Sequence, residues 1–95
     1  MYTVVRSYPG QGASELFDLM EQREADVTSL ISGVPGFVSY AAFRADNGGG
    51  MTVTICEDKA GVDESSRRAA EWIEENLSTP HSGPTITEGS TFLHF

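Results

Sequence analysis

Positive charge is scarce in this sequence. Six lysines and arginines stand against 14 aspartates and glutamates, a formal net charge of −8, so the molecule as a whole repels phosphate backbones and anionic lipid surfaces. Neither nucleic acid nor a membrane surface is an expected partner. Cysteine is nearly absent too. The lone Cys56 can form no internal disulfide, zinc site or redox pair, which fits a reducing, cytoplasmic setting. It sits in "MTVTICED" beside acidic residues that disfavour a thiolate, and reads as a small buried hydrophobe. No apolar run approaches the roughly 20 residues that a membrane helix needs. The opening "MYTVVRSYPG" lacks the basic segment, apolar stretch and cleavage site of a secretory signal. There is no GxxxxGK[ST] phosphate loop and no nucleophile elbow, and the two histidines and scattered carboxylates show no metal-ligand spacing.

The 95 residues amount to one domain, 1–95, with a modest core, since a chain of this length buries only about two-thirds of its unfolded surface. Linkers, repeats and low-complexity tracts are not found. "YTVVRSY", Tyr2 to Tyr8, is β-branched and aromatic and stops at Pro9-Gly10, predicting a first strand. Gly12 and Ser14 then offer helix starts, with Glu15 and Asp18 near the positive end of the helix dipole. Leu16, Met20, Arg23, Val27 and Leu30 or Ile31 recur every three or four residues, predicting one helix that ends near Ile31. Arg23, the charge within that stripe, is expected to snorkel or to form a salt bridge.

Pro35 and Gly36 end the helical pattern, and "FVSYAAFRAD" begins a strand. Here Phe37, Ala41 and Phe43 alternate with Val38, Tyr40 and Ala42, so neither face is polar and both faces are expected to be covered. "DNGGG" signals a hairpin and "MTVTICED" the returning strand. A second helix opens at Gly61, Asp63 and Glu64 and carries Val62, Ala69, Ile73 and Leu77 at helical spacing until Thr79-Pro80. "TITEGSTFLHF" reads as a last strand with Gly89 as a bulge or kink.

The order βαββαβ predicts an α+β, ferredoxin-like fold: a four-stranded antiparallel sheet with two helices on one face. Two helices cover one side of such a sheet only. The apolar second face and the terminal "TFLHF" therefore predict a homodimer in which sheet packs on sheet.

The helix followed by "VPGFVSY", the hairpin "RADNGGGMTVTICED" and the helix bearing "AAEWI" together resemble the dimeric α+β barrel superfamily, in particular its small antibiotic-biosynthesis-monooxygenase-like domains. The resemblance spans essentially the whole chain and implies fold more strongly than chemistry. Its members include oxygenases that use neither metal nor flavin, haem-degrading enzymes and proteins of unknown role. For the haem-degrading branch it implies a first-strand asparagine, a second-helix tryptophan and a histidine about ten residues later. Trp72 and His81 stand at such positions, but Pro80 precedes His81, and the first strand offers Arg6 and Ser7 in place of asparagine.

For the oxygenase branch the resemblance implies a pocket for an acidic phenol or quinol. Arg6, Tyr8, Tyr40 and Trp72 are the candidate ligand-binding residues: a cation for the anion, two phenol donors and an indole to stack. Each has a structural alternative. Trp72 fits core packing, Tyr40 a dimer interface, Arg6 an acidic partner across the sheet or interface, and His81 and His94 a surface or terminus. The functional expectation is a cofactor-independent monooxygenase or oxidoreductase acting on a small aromatic compound. The alternative is a non-catalytic small-molecule-binding or structural dimer.

Overall fold

The computed structural model describes residues Met1 to Phe95. Strand β1 (Tyr2–Tyr8) leads to helices α1 (Ala13–Gln22) and α2 (Glu24–Ser32); the hairpin β2 (Phe37–Arg44) and β3 (Gly50–Cys56) follows, then α3 (Lys59–Asn76) and β4 (Thr85–Ser90). The sheet is antiparallel throughout, in the order β2-β3-β1-β4. This is the expected ferredoxin-like α+β fold, with one refinement.

The first helical stretch is two helices. Arg23 leaves helical geometry at φ −113° and ψ 34°, yet its N–H still donates to the Leu19 carbonyl at 2.9 Å, and its own carbonyl accepts from Val27 N–H at 3.1 Å. The junction is thus a kink, made without proline or glycine, which a 3.6-residue periodicity cannot reveal. Arg23 has the expected salt bridge, Nε to Asp26 Oδ2 at 2.7 Å.

The loop into β2 turns at Gly36, whose φ of 78° is left-handed and favours glycine. Helix α3 starts two residues before the glycine expected to open it. Asp58 is its N-cap, and the Asp58 carboxylate accepts the Gly61 N–H at 3.0 Å, satisfying one of the orphan donors of the first turn. Asp58→Ala is expected to cost about 1 kcal/mol. For a domain of this size that lowers the melting temperature by about 4–8 °C in a circular dichroism melt.

Pairing register assigns the sheet faces. Val4, Arg6 and Tyr8 lie opposite Thr54, Thr52 and Gly50, which in turn lie opposite Tyr40, Ala42 and Arg44. Residues directly opposite share a face, and Val4, Arg6, Tyr8, Thr52 and Thr54 are buried, so this face meets the helices. The other face carries Val5, Met51, Val53 and Ile55 half-buried and Ala41 and Phe43 exposed. The two-sided apolarity of "FVSYAAF" is thereby explained: Tyr40 and Ala42 point toward the helices, and Ala41 and Phe43 point away from them.

The last strand is shorter than expected. Gly89 pairs in register with Thr3, so the anticipated bulge is not there; the irregularity in the sheet lies in β2, between Phe37 and Ser39. Residues 91–95 are outside the strand, and Phe92, Leu93 and Phe95 are exposed.

The apolar core has two parts. One gathers Tyr8, Ala13, Leu16, Phe17 and Ile73, the other Val4, Val34, Cys56 and Val62. Strand β1 contributes to both, and between Val4 and Tyr8 on the same face stands Arg6.

Candidate functional site

Arg6 is 2% exposed. Strand alternation aims it inward, and the surrounding elements answer with hydroxyl groups. Its Nη1–H groups donate to Ser65 Oγ at 3.3 Å and to Ser66 Oγ at 2.9 Å, and an Nη2–H donates to Thr54 Oγ1 at 2.9 Å. Ser65 Oγ–H in turn donates to the Val62 carbonyl at 2.7 Å. The acidic partner expected for Arg6 is not found. Arg23, Arg44, Lys59, Arg67 and Arg68 all form salt bridges; Arg6, the most buried of the six cations, faces no carboxylate. Burying a charge without a counter-charge is costly, and three neutral hydroxyls offset that cost only partly.

A guanidinium has five N–H donors. Three are used by Ser65, Ser66 and Thr54, and Nε–H is left without a partner. Nε is buried, and so is the equally unpartnered Oγ1 of Thr52, the residue directly opposite Arg6 on β3. These are the two unpartnered buried side-chain polar atoms of the protein. Both residues line one cavity.

That cavity lies between the sheet and the helices. Arg6, Tyr8, Tyr40 and Trp72, the four residues singled out in the sequence, all line it, together with Thr52 and an apolar wall that includes Met20, Val27 and Ile31. It is small, about 30 Å³. At rest it admits a water or an anionic head group, so a larger molecule has to extend beyond it or displace its wall.

Burial pushes the phenols of both Tyr8 and Tyr40 above the ordinary tyrosine value, against the opposing pull of the Arg6 charge. Both therefore stay neutral and able to donate in the physiological range. The stability linked to these raised values is complete below the unfolded value of 10.0 and is lost as pH climbs through the folded ones. Tyr8 is fixed edge-on to Phe17, ring centroids 5.9 Å apart. Trp72 is half-buried and packs against the core around Leu16, so its core-packing and cavity-lining roles coexist.

His81 is exposed in the loop after α3, its Nδ1 3.3 Å from the Thr79 carbonyl, and does not line the cavity. His94 lies in the exposed terminal segment. Cys56 is fully buried at the end of β3, and burial, helped by Asp58, pushes its thiol up. No three His, Cys, Asp or Glu side chains come together as a metal site.

Sequence reasoning missed the hydroxyl set, Thr52, Thr54, Ser65 and Ser66. A signal was available in "MTVTIC", where threonines alternate on one strand face, and in "DESSRRAA", where two serines interrupt a helix.

No protein-family model matches the chain, and no curated protein matches it. Solved structures do. The monooxygenase from ActVA-Orf6 of Streptomyces coelicolor, in complex with nanaomycin D, is 21% identical, with a TM-score of 0.72 over 99% of this chain and 89% of its own. The haem-degrader MhuD of Mycobacterium tuberculosis, with two haems in its active site, is 20% identical, with a TM-score of 0.65 over 98% of each chain. NE2512 of Nitrosomonas europaea, of unknown function, is 14% identical, with a TM-score of 0.74 over 99% of this chain and 91% of its own. The fold is that of the antibiotic-biosynthesis-monooxygenase-like domains.

Proposed function

We propose that the protein binds a small aromatic anion in the Arg6 cavity and oxygenates it without a cofactor, as a cytoplasmic homodimer. One observation carries the reading: a fully buried arginine with an unpartnered Nε–H and no carboxylate partner, on the wall of a cavity. A ligand oxyanion supplies the missing counter-charge, and charge-assisted bonds of this kind are the strong ones.

The cavity wall contains no histidine, carboxylate, lysine or thiol. Nothing on it can serve as an ordinary general base, so the substrate has to be acidic enough to ionise by itself. Arg6 and the neutral Tyr8 and Tyr40 phenols then hold the anion by preorganised donors. An electron-rich anion passes one electron to O2, and the carbon radical and superoxide combine. Cleavage of the O–O bond leaves a carbonyl on the ring. In balance, a ring methylene and one O2 become one carbonyl and one water. The S. coelicolor monooxygenase, with its bound nanaomycin D, supports the aromatic ligand class.

The residues do not fit haem. His81, the one histidine near the position implied for an iron ligand, is exposed and outside the cavity, and β1 offers Arg6 where that reading wants an amide.

The dimer reading rests on the open sheet face, with Val5, Met51, Val53, Ile55, Ala41 and Phe43, and on the exposed Phe92, Leu93 and Phe95. A second copy covering this apolar area gains roughly 25 cal/mol per Å². Sedimentation at twice the chain mass supports it.

The activity test is oxygen uptake with dithranol, an anthrone. Consumption of one O2 per anthrone, faster than the spontaneous reaction and slowed in Arg6→Met, supports the proposal. The lack of a general base equally favours a non-catalytic binder; binding of dithranol with no accelerated uptake supports that second reading.

A further inference from the structure

The sequence holds two asparagines, Asn47 and Asn76, and the fold treats them in opposite ways. Asn47 stands before Gly48 at the tip of the β2–β3 hairpin, and both residues are exposed. Ala45 N–H donates to the Gly49 carbonyl at 2.7 Å, and Gly48 N–H donates to the Ala45 carbonyl at 3.0 Å. Gly48 has a φ of 98°, while neither Asp46 nor Asn47 has a positive φ, so the tip is a type I turn closed by a glycine bulge, with Asn47 as its third residue. An exposed amide side chain followed by glycine has a chemistry of its own.

The backbone nitrogen of Gly48, once deprotonated, attacks Cγ of Asn47 to close a five-membered imide. Glycine puts no side chain in the path, and a Cβ on Gly48 would meet nothing within 4 Å, so no neighbouring group shields the approach. The electrophile is prepared as well. Gly49 N–H donates to Asn47 Oδ1 at 3.3 Å, where it stabilises the oxyanion that forms as the nitrogen adds. One bond stands in the way: the third residue of a type I turn has ψ of about 0°, which turns the next nitrogen from the side chain, so attack requires a rotation that breaks the Gly48–Ala45 bond. That bond is at an exposed loop tip, where opening is local. Asn76 is placed differently on every count. Its Nδ2–H donates to the Trp72 carbonyl at 2.8 Å and its Oδ1 accepts from Arg23 Nη1 at 3.4 Å; the residue after it is Leu77, whose N–H is held by the Ile73 carbonyl at 2.9 Å.

We infer that Asn47 is a site of spontaneous deamidation and isomerisation, converting in the folded protein while Asn76 persists. The Gly48 nitrogen loses its proton and forms a bond to Asn47 Cγ; the Cγ–Nδ2 bond breaks, and ammonia leaves. Water then opens the succinimide. Attack at the side-chain carbonyl gives aspartate, and attack at the main-chain carbonyl gives isoaspartate, with the chain now running through Cγ. In balance, one amide and one water become one carboxylate and one ammonium, with nothing oxidised. Either product adds a negative charge to a chain that already carries −8. In the isoaspartate form the backbone between positions 47 and 48 is longer by one methylene, which the Ala45–Gly49 closure of 2.7 Å cannot absorb, so the tip loses its bulge. The inference stands apart from the reading of Arg6.

The test is peptide mapping by mass spectrometry on the full chain, held in mildly alkaline buffer and sampled over weeks beside the same protein in urea. The Asn47 peptide should gain about one mass unit and separate into two products, with isoaspartate the larger. Its rate in the folded protein should lie within about tenfold of that in urea, the factor that one exposed hydrogen bond is worth. The Asn76 peptide of the folded protein should stay unchanged. Gly48→Ala should slow the conversion by about fivefold, because its Cβ disfavours the conformations that glycine visits freely. Asn47→Gln should abolish the mass gain, since a larger ring would have to close. Circular dichroism melts confirm that both variants are folded. A folded-state rate more than about tenfold below that in urea would show that the turn protects Asn47. Conversion of Asn76 at the same pace, or a Gly48→Ala rate equal to that of the parent, would show that the geometry of the tip has no part. Any of these results overturns the inference.

Discussion

Arg6→Met should yield a ligand-free protein at least as stable as the parent. Removing a buried arginine is ordinarily damaging, because it leaves a carboxylate stranded. Here there is none to strand. The guanidinium is bonded to the hydroxyls of Ser65, Ser66 and Thr54. After substitution Ser65 keeps its bond to the Val62 carbonyl, Ser66 is half-buried with access to water, and Thr54 alone is left as a buried orphan. An unpaired buried hydroxyl costs about 1–3 kcal/mol. Against this, methionine fills the volume without the desolvation penalty of a cation, and exchanges of buried charge for hydrophobe are often neutral or stabilising by about 1–4 kcal/mol. The melting temperature should hold or rise by several degrees, while affinity for an aromatic anion falls by about 100-fold or more. A fall in melting temperature of more than about 10 °C, or more than about 2 kcal/mol for a domain of this size, would mean that the hydroxyl network holds the core together and that Arg6 is structural.

Gly50→Val should produce the opposite phenotype, a large loss of stability. A Cβ on Gly50 would stand 2.5 Å from Phe17 Cε1 and 2.7 Å from Cε2, so the ring has to move. Phe17 is 5% exposed and packed in the cluster with Leu16 and Ile73, edge-on to Tyr8, so it cannot move without disturbing its neighbours. Overpacking of this kind costs about 1–3 kcal/mol, occasionally more, and valine adds two further methyl groups to the clash. A drop of about 3 kcal/mol corresponds to 12 °C or more in melting temperature. Because Phe17 borders Tyr8 on the cavity wall, ligand affinity should fall as well. Phe17→Leu combined with Gly50→Val should recover part of the loss, since a smaller side chain vacates the contested space, and contacting residues are expected to be non-additive. A Gly50→Val protein that melts with the parent would show that Phe17 has room which this packing denies it.

These two positions show what kind of information the sequence carried. Strand β1 was legible to its last residue, because Tyr2 to Tyr8 is a β-branched and aromatic run cut off by Pro9-Gly10. The four ring-lining candidates were legible by chemical type: an arginine, two tyrosines and the lone tryptophan. That they share one cavity follows from pairing register, which places Arg6, Tyr8 and Tyr40 on the helix side of the sheet. Apolar content cannot supply this parity when both faces of β2 are apolar. Within the chain the neighbours that bond Arg6 are hydroxyls on β3 and α3 and not a carboxylate across the sheet, and they are brought together across 48 to 60 residues of chain, which no local pattern announces. The kink at Arg23 and the N-cap at Asp58 were missed for different reasons. The first breaks a helix without proline or glycine; the second lay three residues ahead of the glycine taken as the start. Gly50 read only as part of a hairpin, and its second role, giving Phe17 its place, exists only in three dimensions.

The central claim is that Arg6 presents an unused donor edge to the cavity, and the Nε–H resonance of Arg6, assigned by its disappearance in Arg6→Met, measures that edge directly. On titration with hydroxynaphthoquinone, an aromatic anion at neutral pH, it should shift saturably to lower field and become protected from solvent exchange, in step with quenching of Trp72 fluorescence. An Nε–H signal that stays unmoved while Trp72 responds would show that the ligand binds without using Arg6, and would contradict the account.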